Sequence, residues 1–142
     1  SVEHHTQVIG RLIDEGKIKG RMGESGKVTY HDPCNLSRML DIVDEPRTAI
    51  QAGSSNFQEM EESGRNTLCC GAGGALWWKK ETQGRTHLVR AEQVIESGAD
   101  TVVTGCNFCY GMMKQGLGPM TPEGRAEVVA KDVADIVADN LV

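Results

Sequence analysis

The chain has 142 residues, enough for one domain whose core needs no covalent staples. Its formal net charge is −5 and 4% of its residues are aromatic, which argues against a nucleic-acid partner: phosphates call for a basic face and unpaired bases for stacking platforms. No apolar run approaches the roughly 20 residues of a membrane span. The polar start Ser1-Val2-Glu3-His4-His5 is unlike a secretory leader, so the expected compartment is the cytoplasm.

In chain order, Val8, Ile9, Leu12 and Ile13 recur at helical spacing and Gly16 offers a stop, predicting a helix over 2–15. Residues 17–26 read as a Gly- and Lys-rich linker. Lys27–His31 is β-branched and aromatic, a strand that Asp32-Pro33 breaks. Leu36–Leu40 suits a short helical turn, and Pro46 suits the first turn of a helix through Gln51, ending at Gly53. Asn56–Glu61 reads as a short strand, and Trp77 and Trp78 as part of a helix. Leu88, Ala91 and Ile95 give a helical face closed by Gly98. Thr101–Thr104 is a compact buried strand, and Phe108–Leu117 a helix. Pro119 and Pro122 flank a turn, and Val129, Val133, Ile136 and Val137 mark a closing amphipathic helix.

Strands alternating with helices predict an α/β fold: a small, mainly parallel sheet flanked by helices. In such sheets ligands bind beyond the carboxyl ends of the strands. Cys34, Cys69-Cys70 and Cys106-x-x-Cys109 each follow a predicted strand, so they are expected to converge at that edge.

These five are all the cysteines of the chain. An odd number, two of them adjacent, does not suit a disulfide framework. It suits the soft sulfur ligation of an iron–sulfur cluster or zinc. Adjacent Cys69 and Cys70 cannot both reach one ion from regular backbone but can bind two irons of one cluster. The glycines that follow, Gly71, Gly73 and Gly74, let backbone approach an inorganic core and donate N–H groups to it. Cys106 and Cys109 at a helix entry gain from the positive end of the helix dipole, which favours thiolate. His31, ahead of Asp32-Pro33-Cys34, reads as a donor behind the ligands, a proton carrier, or a locally bonded strand-end histidine. Arg38 offsets cluster charge or is merely solvated. His4, His5 and His87 read as surface residues, Glu59, Glu61 and Glu62 as a solvated face, and Met112 and Met113 as packing beneath the Cys-x-x-Cys. Trp77 and Trp78 either shield the site or simply pack.

Two other functions compete: a structural zinc module in which four thiolates close a tetrahedral site, and a dithiol–disulfide exchanger using Cys106 and Cys109. The exchanger leaves Cys34, Cys69 and Cys70 unexplained.

The pattern of a cysteine, a spacer of thirty-odd residues, Cys-Cys-Gly, a second such spacer and Cys-x-x-Cys resembles the cysteine-rich CCG domain family. His31-Asp32-Pro33-Cys34, Gly71-Ala72-Gly73-Gly74 and Thr104-Gly105-Cys106-Asn107-Phe108-Cys109 also look like family sequence. The family includes B- and D-type heterodisulfide reductase subunits and iron–sulfur subunits of glycolate, lactate and anaerobic glycerol-3-phosphate oxidation. The resemblance implies an iron–sulfur site held by Cys34, Cys69, Cys70, Cys106 and Cys109, a non-cubane 4Fe–4S cluster in the heterodisulfide reductases and zinc in some members. It implies electron transfer between a flavin or ferredoxin-type donor and a disulfide, quinone or membrane carrier. The implied partners are other iron–sulfur or flavin domains and a membrane subunit through which the chain would associate with the membrane. Many relatives carry two such motifs behind a ferredoxin-like segment. This chain carries one motif and no ferredoxin run, which suggests one CCG-type domain over 1–142, the C-terminal part of a larger oxidoreductase.

Overall fold

A computed structural model describes residues 2–20, 26–80 and 85–142. The main elements are α1 (His5–Asp14), β1 (Val28–His31), α2 (Asp44–Gly53), α3 (Thr86–Glu96), β2 (Thr101–Thr104), α4 (Asn107–Met120), β3 (Val129–Asp132) and α5 (Val133–Ala138). The strands form one parallel sheet in the order β1-β2-β3, with Val28 opposite Thr101 and Thr101 opposite Val129. The predicted α/β class is the one observed. Residues 21–25 of the expected linker lie outside the described residues.

Period-2 alternation sorts the sheet into two faces. Val28, Tyr30 and Val103 turn to one side and pack with Ala49 and Ile50 of α2 and Val133, Ile136 and Val137 of α5. Val102 turns to the other and packs with Ala91 and Val94 of α3 and Met112, Met113 and Leu117 of α4. His31 and Thr104, paired in register, share the parity of Val102. That parity, and nothing in its own chemistry, sends His31 towards α3 and α4.

Four expectations need correction. Asn56–Glu61 is not a strand among the described residues: Phe57 makes one parallel bridge to Val28, and Glu59 then turns away to pair with Arg47. Cys69 and Cys70 therefore follow no strand. The closing helix from Val129 is two elements. Val129–Asp132 is the outer strand, and α5 starts only after Asp132, whose carboxylate caps Ala134 N–H at 2.8 Å while Asp135 reaches back to Asp132 N–H. Pro119 lies inside the last turn of α4, which closes with Thr121 N–H bonded to Leu117 O at 2.9 Å. A proline here removes one bond near a frayed end and leaves the helix intact. Last, His4 precedes α1 as its cap: its Nδ1 accepts from Thr6 N–H and Gln7 completes the box. The short turns at Asn35–Met39 and Leu76–Trp78 agree with the helical turns expected there.

Candidate metal centre

All five cysteines line one cavity of about 320 Å³, together with Gly73, Gly74, Trp78 and Phe108. None of the five is in a disulfide. Three chain segments bring them in. Cys34 opens the turn after β1, Cys69 and Cys70 sit in the irregular segment before α3, and Cys106 and Cys109 start α4.

The β1 exit is fixed by Asp32, which is 1% exposed. Its carboxylate accepts from Arg47 Nη1 at 2.8 Å, Arg47 Nη2 at 3.0 Å and the backbone N–H of Gly64 at 2.7 Å. This clamps the loop between His31 and Cys34 to α2. One residue past Cys34 the chain closes a single wide helical turn, Asn35–Met39, with Leu40 N–H on Asn35 O at 3.2 Å. Arg38 on that turn donates to Thr67 O at 2.7 Å, tying Cys34's turn to the extended approach to Cys69.

At the Cys-Cys-Gly segment, Gly71 has φ +82°, a left-handed conformation that L side chains resist, and a β-carbon there would sit 3.1 Å from Thr86 Cβ. The turn lets Gly71 N–H point at Cys69 Sγ, 3.4 Å away. Beside Gly73 and Gly74 a β-carbon would meet only open space. Gly71 itself is not among the residues that line the cavity. Trp77 lies across bare Gly111 of α4, where a β-carbon would collide with its ring, and both Trp77 and Trp78 meet Phe108 edge-on. Trp78 is 72% exposed and Phe108 50%, so the cavity opens between apolar surfaces.

Cys106 is the cap residue of α4 and Cys109 lies in its first turn. The Cys109 S–H donates to Cys70 Sγ at 3.4 Å. That proton holds Cys70 below the ordinary thiol range and pushes Cys109, which shares it with two neighbours and is buried, far up. Cys106 is pushed down to about 6, first by the Cys109 thiol and then by the backbone N–H groups of Cys109 and Phe108 at the helix start, which outweigh its burial. Burial pushes Cys69 up. The site thus favours thiolate at two of its positions before any metal arrives.

His31 is 1% exposed, and one of its ring nitrogens lies with the sulfurs of Cys70 and Cys109 inside a 4.8 Å cluster. Burial lowers its pKa. Behind it stands Arg90, 0% exposed, whose Nε donates to His31 Nδ1 at 3.0 Å. The same guanidinium donates to Thr67 Oγ1 at 3.0 Å, Glu62 O at 3.0 Å and Gln93 Oε1 at 2.7 Å. Sequence reasoning missed Arg90 and placed His87 on the surface, whereas His87 is 2% exposed. The signal was present: His87, Arg90, Ala91 and Val94 fall at i, i+3, i+4 and i+7, one face of α3, and that face is buried. Met112 and Met113 pack in the same core cluster as Cys70 and Cys109, as expected, and Glu61 and Glu62 are solvated.

Five thiols free of disulfides around a roomy cavity, with glycines leaving space at one wall and a ring nitrogen of buried His31 close to two of the sulfurs, fit a thiolate-bound inorganic cluster. A single zinc ion would need four thiolates at about 2.3 Å and would leave one thiol and most of the cavity unused.

Residues 28–114 match the family model of the CCG cysteine-rich domain. The chain is 33% identical to a probable iron–sulfur-binding oxidoreductase, FadF, of Bacillus subtilis, covering 99% of this chain and 20% of that protein. It is 31% identical to an EtfAB:quinone oxidoreductase of Syntrophomonas wolfei, covering 96% and 20%. It is 30% identical to the D-type polypeptide of the dihydromethanophenazine:CoB–CoM heterodisulfide reductase of Methanosarcina barkeri, covering 99% and 34%. The chain therefore spans between a fifth and a third of the length of these relatives. With the matched span running from β1 into α4 and carrying every cysteine, this chain belongs to the CCG cysteine-rich domain family.

Proposed function

We propose that this chain is the iron–sulfur redox domain of a larger, heterodisulfide-reductase-like electron-transfer oxidoreductase. The convergence of all five thiols on one cavity carries the reading. Cys34, Cys69, Cys70, Cys106 and Cys109 would hold a 4Fe–4S cluster, non-cubane in type, since five sulfur ligands exceed the four of a cubane. Such a cluster supplies one-electron transfer.

The chain's own residues prepare the site for that load. The α4 N-terminus and the Cys109 proton hold Cys106 and Cys70 as thiolates at neutral pH. The clamp of Asp32 on Arg47 and the bond from Arg38 to Thr67 fix the two segments that carry Cys34 and Cys69. Gly73 and Gly74 leave one wall open to the cluster, and Trp78 and Phe108 give its mouth an apolar surface.

The proposed partners are a flavin or ferredoxin-type donor on one side and a disulfide, quinone or membrane carrier on the other; the relatives named for a quinone and for a heterodisulfide support the acceptor side. Membrane association through a partner protein is part of the same proposal; no described helix is long and apolar enough to cross a membrane. An anaerobic redox titration followed by electron paramagnetic resonance tests the reading. One reversible one-electron signal per chain supports it, and a silent protein with bound zinc overturns it.

A further inference from the structure

We infer that Arg90 is a positioning residue: it fixes His31 as the tautomer protonated at Nε2, so that His31 donates to the sulfur site and does not ligate metal. The inference rests on the proposed cluster for its redox consequence but not for its geometry.

A guanidinium carries N–H groups and no acceptor. Arg90 Nε at 3.0 Å from His31 Nδ1 can only be the donor, so Nδ1 must offer its lone pair. A neutral imidazole then carries its proton on Nε2, and a doubly protonated ring is excluded because its Nδ1–H would face the Arg90 N–H. Nε2 is buried and has no hydrogen-bond partner among the described residues. With Nδ1 committed, Nε2 is the ring nitrogen free to meet the sulfurs of Cys70 and Cys109. For Nε2 to bind metal it would have to lose its proton and become an imidazolate, although five thiols already line the cavity. A donor role requires no such change.

Arg90 cannot swing away. Its other bonds, to Thr67 Oγ1, Glu62 O and Gln93 Oε1, fix the plane of the guanidinium. Thr67 lies two residues before Cys69 and His31 three before Cys34, so one buried cation sets the ring and braces two of the three cysteine segments. An N–H donated to a thiolate or a cluster sulfide withdraws charge from it and favours the reduced state.

The test uses protein purified without oxygen and labelled with [15N]histidine. Ring nitrogen shifts read the tautomer directly in the wild-type protein wherever the site is diamagnetic. A pyrrole-type Nε2 and a pyridine-type Nδ1 are expected, and a pyrrole-type Nδ1 overturns the inference. Two variants add a redox readout, taken together with the ring spectrum because loss of the Arg90 charge alone also disfavours the reduced cluster. Arg90→Lys offers only donors and keeps the wild-type tautomer and potential. Arg90→Gln can accept from Nδ1–H, so it releases the tautomer and disfavours the reduced cluster about tenfold, a fall of about 59 mV for one electron. An Arg90→Gln potential equal to wild type overturns the inference. Absence of iron would overturn the cluster reading alone, and the ring spectrum would still decide the tautomer.

Discussion

Asp32→Asn removes one charge and keeps the shape of the side chain. In the native loop the carboxylate is 1% exposed and takes three N–H donors, two from Arg47 and one from Gly64. An amide has one acceptor oxygen, so at least one of those donors faces an NH2 group instead. Breaking a buried ion pair by removing one partner costs about 3–5 kcal/mol. Arg47 is 14% exposed at its side chain and keeps its second partner, Glu59, which puts the loss at the lower end, about 3 kcal/mol. For a chain of this length that corresponds to a fall in Tm of roughly 6–12 °C. Urea unfolding followed by circular dichroism, at matched metal content, reads the difference. Glu59→Gln is the control: its carboxylate is 39% exposed, so its loss should cost under about 1 kcal/mol. If Asp32→Asn stays within about 0.5 kcal/mol of wild type, the clamp does not hold the Cys34 loop and the reasoning is refuted.

Gly71→Ala should cost about 1–2 kcal/mol from the left-handed backbone alone, with crowding against Thr86 Cβ added; a Tm equal to wild type would mean that the turn relaxes freely. In metal-free, reduced protein Cys106 titrates below the ordinary thiol range, so it stays thiolate as pH falls to about 6. Its alkylation by iodoacetamide, followed by mass spectrometry, should therefore be near its plateau at pH 7 while Cys69 lags; a Cys106 midpoint near the ordinary thiol value of about 8.5 would contradict the helix-terminus effect. Cys70→Ser should abolish or greatly weaken cluster assembly, and unchanged iron in that variant would remove Cys70 from the ligand set.

The strands β1 and β2 and the helices α1 to α4 were legible because each combines one period of apolar residues with a stop signal. The α5 boundary was not, because Val129, Val133 and Val137 keep helical spacing across a strand–helix junction. Asp132 and Asp135 at cap spacing marked that junction and were the better guide. The five thiols were legible because the only cysteines of the chain fall in one spaced pattern. Their support was not. Arg90 and Asp32 act through partners that are 59 and 15 residues away in sequence, and spacing along the chain says nothing of such pairs. His31 was legible as a strand-end histidine but not as a buried one, because which face it takes depends on the register between β1 and β2.

The central claim is that these five cysteines together hold one iron–sulfur cluster. Iron, zinc and acid-labile sulfide per chain, measured on protein purified without oxygen, test it most directly. The expected result is about four iron and a matching amount of sulfide, with broad absorption near 400 nm, roughly as for a 4Fe–4S protein. Near-stoichiometric zinc without sulfide would contradict it and make the cavity a structural site.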